Sequence, residues 1–425
     1  MDILFIFLLL LLLLLTGLPV FISLASLAVG ILFVTGQSLS TFPSTMYAAM
    51  DNFVLLAVPL FMLMAHIMTR GRVGDDLFDF VHVWLKHLPG GIAMTTVVTC
   101  SIFAAICGSS TATAVTVGIA AIPAMLRYRY EKPFVLGLVA AGGTLGILIP
   151  PSGPMIIYGA ITDTSVGKLF IAGILPGIVI TLLFLVYCWF YASRTPGLKG
   201  ERPSSWRERW QAFKRAALSL VMPPIIIGGI YLGTFTPTEA AGVGAMMAFL
   251  ICFLVNRRLG IRDVAPILKD TVKTTTMIFM IVGAAVFFGQ VLTINQIPQK
   301  IVQLAIQMDL SKWTFLLFVN GLLLFLGCFL EVVSIILIVV PIFFPVIQRL
   351  GIDPVWFGVI FTINMELALI TPPVGMNLYV MLGIAKSSLQ EIIQGIWPFI
   401  LILAAGLIVV MLVPELSLWL TRFVG

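Results

Sequence analysis

Apolar residues along this chain run on for whole stretches instead of alternating with polar ones at the period of a strand or of a surface helix. The stretches 170–192, 218–235, 272–294 and 399–420 each hold the roughly 18 to 20 mainly apolar residues that a membrane-crossing helix needs. The pattern predicts an all-α polytopic membrane protein. Residues 8–15 are an unbroken leucine run with no basic residue before it and no small-residue cleavage site after it, which reads as a retained span. The first 34 residues fit either one long tilted helix or two short ones bent at Gly17-Leu18-Pro19. Segment 74–88 spaces Leu77, Phe80, Val81, Trp84, Leu85 and Leu88 along one helical face, with Asp75, Asp76, Asp79 and Lys86 mostly elsewhere. Such a helix lies along a membrane interface. Segment 297–308 is two-faced in the same way.

The polar and breaking positions repeat. At an offset of 222 residues Pro123 meets Pro345, Pro150-Pro151 meets Pro372-Pro373, Gly153 meets Gly375, Ser165 meets Ser387, Gly173 meets Gly395 and Pro176 meets Pro398, with no gap from residue 123 to residue 176. The chain reads as two copies of one unit.

Composition excludes a soluble fold, because 60% hydrophobic and 10% charged residues leave far more apolar surface than one core buries. A net charge of +6 suggests nucleic-acid binding only in a soluble protein, and no such partner is expected here. Distribution is the informative part. Of 24 Lys and Arg, 18 lie in the stretches 70–86, 127–132, 194–215 and 257–273, which are therefore expected on the cytoplasmic side. Segment 92–126 has such a stretch on both sides, so it must dip into the bilayer and return, turning at the small polar run Cys107-Gly108-Ser109-Ser110-Thr111-Ala112-Thr113. Its copy, 313–347, is flanked only by Lys300, Lys312 and Arg349 and is expected to dip from the outside. Two copies in opposite orientation make an inverted repeat, a signature of secondary transporters. The five cysteines show no CxxC spacing and the three histidines match no ligand motif, so neither a disulfide nor a metal cluster is expected.

The double prolines carry the candidate chemistry. Proline has no backbone N–H, so Pro150 and Pro151 leave the Gly146 and Ile147 carbonyls without their helical partners, and Pro372 and Pro373 do the same for Ala368 and Leu369. An unpaired carbonyl in hydrocarbon costs several kcal/mol, so such breaks belong where they line a cavity or bind a cation. Sodium suits these hard oxygens, with Thr144, Ser152 and Thr371 hydroxyls close by and each hairpin tip packed on its broken helix. Acidic residues in apolar segments are a second signal: Glu331 by the second tip, Glu366 before Thr371, and Glu239 after Phe235-Thr236-Pro237-Thr238. For each, a carboxyl hydrogen-bonded between helices or at an interface is the plainer alternative. No GxSxG elbow or partner histidine supports Ser109 or Cys107 as a nucleophile, so an intramembrane enzyme is the weakest reading.

The runs Ala104-Ala105-Ile106-Cys107-Gly108-Ser109-Ser110, Ile149-Pro150-Pro151-Ser152, Phe235-Thr236-Pro237-Thr238-Glu239-Ala240-Ala241 and Leu369-Ile370-Thr371-Pro372-Pro373-Val374-Gly375 resemble, in this order and spacing, the large membrane subunit of tripartite ATP-independent periplasmic (TRAP) transporters. Cys107 stands where that family commonly has Ser, and Glu331 where it commonly has Asp. Asn364-Met365-Glu366-Leu367 looks like its C4-dicarboxylate-type members. The resemblance implies a sodium-driven elevator in the bacterial inner membrane that imports small organic acids, with Na+ as coupling ion and no other cofactor. It also implies a small four-helix membrane subunit and a periplasmic substrate-binding protein as partners. A stand-alone sodium/dicarboxylate symporter of the same architecture is the nearest alternative.

On this reading residues 1–86 and 217–308 are scaffold and 194–216 a cytoplasmic connector. The transport domain comprises 87–193 (hairpin 92–126, broken helix 133–163) and 309–425 (hairpin 313–347, broken helix 355–385). The expected first sodium site is Ala105, Ser109, Ser110, Gly146, Ile149 and Pro151, and the second is Gly327, Ala368, Thr371 and Val374. Substrate is expected at Ser110, Thr111, Ser152, Glu331, Ser334 and Asn377.

Overall fold

A computed structural model describes residues 3–198, 200–385 and 387–423, so Lys199 of the expected connector lies outside them. Every regular element among the described residues is helical, and eight helices are long and apolar enough to cross a membrane, among them Val166–Arg194, Trp206–Tyr231, Ile261–Ile294 and Leu389–Leu412. The N-terminal stretch forms two helices, Ile3–Leu15 and Val20–Val34, because Gly17 takes the left-handed φ of +79° and Pro19 cannot continue the first. The apolar window 399–420 overran its helix. That helix ends at Leu412, two residues before Pro414, and a new short turn, Glu415–Leu418, follows.

Helix boundaries recur at the offset of the prolines and glycines. The hairpin helices Ser110–Arg127 and Val332–Arg349 match it at both ends, and the broken helices start at Lys132 and Pro354. In the first copy Lys132–Thr144 tightens into a 3₁₀ turn, Leu145–Ile147, before the chain resumes as Gly153–Thr162. In the second, Pro354–Ile370 stops and Met376–Ala385 resumes. Both double prolines hold cis bonds within these gaps.

The first hairpin pairs Gly91–Cys107 with Ser110–Arg127 and turns at Gly108-Ser109, where Gly108 adopts a left-handed φ of +64°. The second pairs Lys312–Gly327 with Val332–Arg349 and turns at residues 328–331, which places Ser334 inside a helix and not in the tip.

One crossing locks the two halves together. Lys132–Thr144 of the first broken helix meets Leu389–Leu412 at Gly137 and Gly395, where a Cβ on Gly395 would stand 1.8 Å from the Pro133 carbonyl oxygen. Small residues permit this backbone approach, which drives helix association where lipid offers no hydrophobic gain. At the end of the crossing Lys132 Nζ lies 2.9 Å from Glu391.

The two-faced segment 74–88 is the helix Val73–Leu85, and its copy is Ile297–Gln307. One expectation for it fails: Asp76 does not sit on the polar face. It is buried and takes Arg258 Nη2 at 2.7 Å, while Nη1 of the same guanidinium donates to the Arg72 carbonyl at 3.0 Å. Burial of that carboxylate is tolerable because it is paired and hydrogen-bonded. The connector docks at the foot of the first hairpin, where the Glu201 N–H donates to the Lys86 carbonyl at 2.9 Å and the Tyr128 hydroxyl donates to Glu201. A capping box of Ser205 and Glu208 then opens Trp206–Tyr231, so the expected boundary at residues 216 and 217 falls inside one continuous helix.

Candidate ion and substrate site

Each hairpin tip seats directly on its broken helix. In the first copy a Cβ on Gly108 would stand 2.4 Å from the Pro151 carbonyl oxygen, and one on Gly146 would stand 2.5 Å from that of Ser109. Tip and break are thus in backbone contact through two glycines, which brings Ser109, Gly146 and Pro151 of the expected first sodium set together. Ser109 itself caps the returning helix by accepting the Ala112 N–H at 3.5 Å, and its carbonyl accepts the Thr113 hydroxyl at 2.8 Å. In the second copy a Cβ on Gly327 would meet the Ala368 Cβ at 2.3 Å, and the Cys328 Sγ lies 3.7 Å from the Pro372 carbonyl. Gly327 and Ala368 of the second set therefore touch, with Thr371 next to the gap.

The carbonyls freed by proline do not all stay free. The residue four beyond Gly146 is Pro150, and among the described residues no hydrogen bond reaches the Gly146 carbonyl. Ile147, by contrast, accepts the Ser152 hydroxyl at 2.5 Å. The expectation that Ala368 offers an unpaired carbonyl is corrected in the same way: the Thr371 N–H turns back to it at 3.2 Å, a three-residue bond replacing the four-residue one that Pro372 forbids. The Thr371 hydroxyl donates to the Leu367 carbonyl at 2.6 Å, which keeps its own lone pairs available to a cation. Thr144 donates to Ala141 at 2.7 Å and is buried in its helix.

Of the expected substrate residues, the fold joins two across the repeat. Asn377, just past the second break, donates to the Ser110 hydroxyl at 2.7 Å and to the Ala140 carbonyl at 3.1 Å, so one side chain ties the second broken helix to both the first hairpin and the first broken helix. Its Oδ1 is buried with no partner among the described residues. Ser110 and Thr111 open the returning helix at the tip, with the Thr111 hydroxyl 3.3 Å from that of Ser109. Ser152 is committed to capping, since it accepts the Met155 N–H at 3.4 Å besides donating to Ile147. Glu331 occupies the cap position of the second returning helix without making a capping bond, and Ser334 is buried with an unpartnered hydroxyl one turn on. Ala105 and Ile149 flank the first tip and break, and Val374 lies in the second gap.

Glu239 takes the plainer alternative: it closes a capping box by accepting the Thr236 N–H at 2.8 Å at an exposed helix start. A polar pair lies behind the second site, joining Asn364 of a quoted run to Asn320, which no motif marked. Asn364 Nδ2 bonds Asn320 Oδ1 at 2.8 Å and the Asn320 carbonyl at 3.0 Å, pinning the second hairpin to its broken helix. Its sequence signal is a single asparagine amid apolar residues on each of two neighbouring helices.

The family model described as "Tripartite ATP-independent periplasmic transporter, DctM component" matches residues 7–416. The chain is 43% identical over 399 residues to the C4-dicarboxylate TRAP transporter large permease protein DctM of Pseudomonas aeruginosa, covering 94% of this chain and 93% of that one. To the protein of the same name from Rhodobacter capsulatus it is 39% identical, with both chains covered in full. The crystal structure of the Alcanivorax borkumensis YdaH transporter shares the fold at a TM-score of 0.57 and 14% identity, over 88% of this chain and 87% of that one. With the motifs, the broken helices and the whole-length matches agreeing, the chain belongs to the DctM family, the large membrane permease of TRAP transporters.

Proposed function

We propose that this permease imports small organic acids, C4-dicarboxylates foremost, by sodium symport in the bacterial inner membrane. The observation that carries the reading is the pair of hairpin tips seated on proline breaks, with the Gly146 carbonyl left without a donor beside the Ser109 backbone. An oxygen in that position, at a helix C-terminal end, is a ligand for a small cation. The two copies act as an inverted repeat. The hairpins and broken helices of 87–193 and 309–425 move together as an elevator against scaffold helices from 1–86 and 217–308. Substrate binds between the tips, with Ser110, Thr111, Glu331, Ser334 and Asn377 facing it and Ser152 holding the first break in shape. A small four-helix subunit widens the scaffold, and a periplasmic binding protein delivers the acid.

Reconstitution tests this directly. Succinate uptake into proteoliposomes is expected only with an inward sodium gradient, the small subunit and the loaded binding protein together. Full-rate uptake by the purified chain with sodium alone would establish the stand-alone symporter instead.

Thr371→Ala removes one hydroxyl ligand and leaves the Ala368 and Leu367 carbonyls in place. Loss of one neutral ligand costs about 0.5–1.5 kcal/mol, so the sodium concentration for half-maximal uptake is expected to rise roughly two- to tenfold. An unchanged sodium curve removes Thr371 from the site.

A further inference from the structure

Basic and aromatic side chains crowd one corner of the expected cytoplasmic face, away from the candidate ion site. Residues 194–215 hold seven Lys and Arg against two Glu, immediately before the apolar part of the helix Trp206–Tyr231. Both carboxylates are committed: Glu208 accepts the Ser205 N–H at 2.9 Å, and Glu201 accepts the Tyr128 hydroxyl and lies 3.8 Å from Lys86 Nζ. A positive excess remains on this surface.

On that helix Trp206, Arg209, Trp210 and Phe213 recur at i, i+3, i+4 and i+7 and so share one face. Trp84, from the interface helix Val73–Leu85, meets them there, its ring 6.0 Å from that of Trp206 and at 85° to it. The Arg209 guanidinium lies in the corner between the two indoles, 4.8 Å from the Trp84 ring centre and 5.3 Å from that of Trp206. Two electron-rich rings hold a flat cation in such a corner. It has no acidic partner among the described residues. Its Nε is buried without a hydrogen bond, and Asp79 on the interface helix interacts with Arg215 instead. Beside the corner Trp206 is 75% and Trp210 57% exposed, and Lys214 Nζ stands 5.6 Å over the Trp210 ring. Bare indoles at the end of a span belong to the headgroup region of a bilayer, and one to three turns on Leu218, Val221 and Ile225 are exposed at the depth of acyl chains.

We propose that Arg209, in its corner between Trp84 and Trp206, binds the phosphate of an anionic phospholipid from the cytoplasmic leaflet. The guanidinium Nη groups donate to the phosphate oxygens, Lys214 adds charge, and the acyl chains lie along Trp210, Phe213 and Leu218. Charge complementarity selects this occupant: a protein partner must bring carboxylates to the depth of the headgroups, whereas anionic headgroups already line this face of the membrane. The planar fork of arginine matches a phosphate through two bonds at once. Because Trp84 and Arg209 come from different helices, the bound lipid bridges Val73–Leu85 to Trp206–Tyr231.

Native mass spectrometry of the purified permease in detergent, with dioleoylphosphatidylglycerol or dioleoylphosphatidylcholine added at equal concentration, tests the site. The wild type is expected to retain one phosphatidylglycerol at concentrations where phosphatidylcholine does not bind. Arg209→Gln is expected to weaken that binding roughly ten- to a hundredfold, the worth of a charge-assisted hydrogen bond to phosphate. Trp206→Leu keeps the charge and removes one wall of the corner, for an expected loss of about threefold or more. Arg207→Gln removes an equal charge one residue away, outside the corner, and is expected to change binding by less than about twofold. Equal retention of the two lipids by the wild type overturns the proposal. Equal losses in Arg207→Gln and Arg209→Gln also overturn it, because the attraction is then one of diffuse charge. Should Arg209→Gln not fold, unchanged binding by Trp206→Leu decides against the corner in its place. Wild-type permease that sheds phosphatidylglycerol when co-purified with a small membrane subunit gives the corner to that subunit and overturns the lipid assignment.

Discussion

Gly395→Ala is expected to abolish the folded permease. The new Cβ is fixed by the backbone, so no rotamer relieves its position 1.8 Å from the Pro133 carbonyl oxygen and 2.3 Å from the carbonyl carbon. The reciprocal approach is as tight, with a Cβ on Gly137 falling 2.2 Å from the Gly395 oxygen. To restore a separation of roughly 3.5 Å, the two helices must move apart by more than 1 Å along their most intimate crossing. That movement also strains the 2.9 Å contact between Lys132 and Glu391. Overpacking of a core costs about 1–3 kcal/mol and occasionally more, and a rigid backbone-to-backbone clash belongs at the top of that range. Detergent-solubilised variant is expected to lose its monodisperse elution peak, its thermal transition and all uptake. Gly30→Ala is the control, since nothing lies within 4 Å of a Cβ there and alanine is the better helix former. A Gly395→Ala protein that melts at the wild-type temperature removes this crossing from the fold.

The double prolines were legible because their chemistry is local: a missing N–H breaks a helix wherever it stands in one. The offset of 222 then carried the assignment from one copy to the other, and the helix ends at Arg127 and Arg349 follow it. What replaces the lost hydrogen bonds was not legible. Whether Ala368 stays free depends on the path of the chain through the gap, and only the folded backbone shows the Thr371 N–H turning back to it. Proximity across long separations was hidden for a different reason. Asn320 and Asn364, and Ser110 and Asn377, meet through packing of helices whose facing sides no period reveals, because a helix that is apolar all round gives no moment to read, while Asp76 meets Arg258 because the loop before Ile261–Ile294 folds onto it. Apolar windows blur ends for the same reason, and 399–420 runs past Leu412 because most of the residues beyond it, Glu415 and Ser417 excepted, are apolar too.

Gly146→Ala is expected to leave the protein folded and stop sodium-driven uptake. Its Cβ would fall 2.5 Å from the Ser109 carbonyl oxygen, 2.7 Å from the carbonyl carbon and 2.8 Å from the Thr113 hydroxyl oxygen, so the tip has to lift off the break by about 1 Å to reach ordinary contact. The helix crossing at Gly137 and Gly395 is separate and stays closed. Displacement by about 1 Å of groups that act together costs on the order of a hundredfold in rate, which sets the expected loss of uptake. Gly153→Ala lies just past the same break but meets only Met62 Cε at 3.5 Å and the Gly108 oxygen at 4.0 Å, so uptake within about threefold of wild type is expected there, a cost under 1 kcal/mol. The two variants differ in the space around one methyl group, not in chemistry, so their contrast isolates tip seating from general damage to the broken helix. Equal loss in both assigns the effect to the break as a whole. Sodium-dependent uptake retained by Gly146→Ala removes the first tip from the ion site.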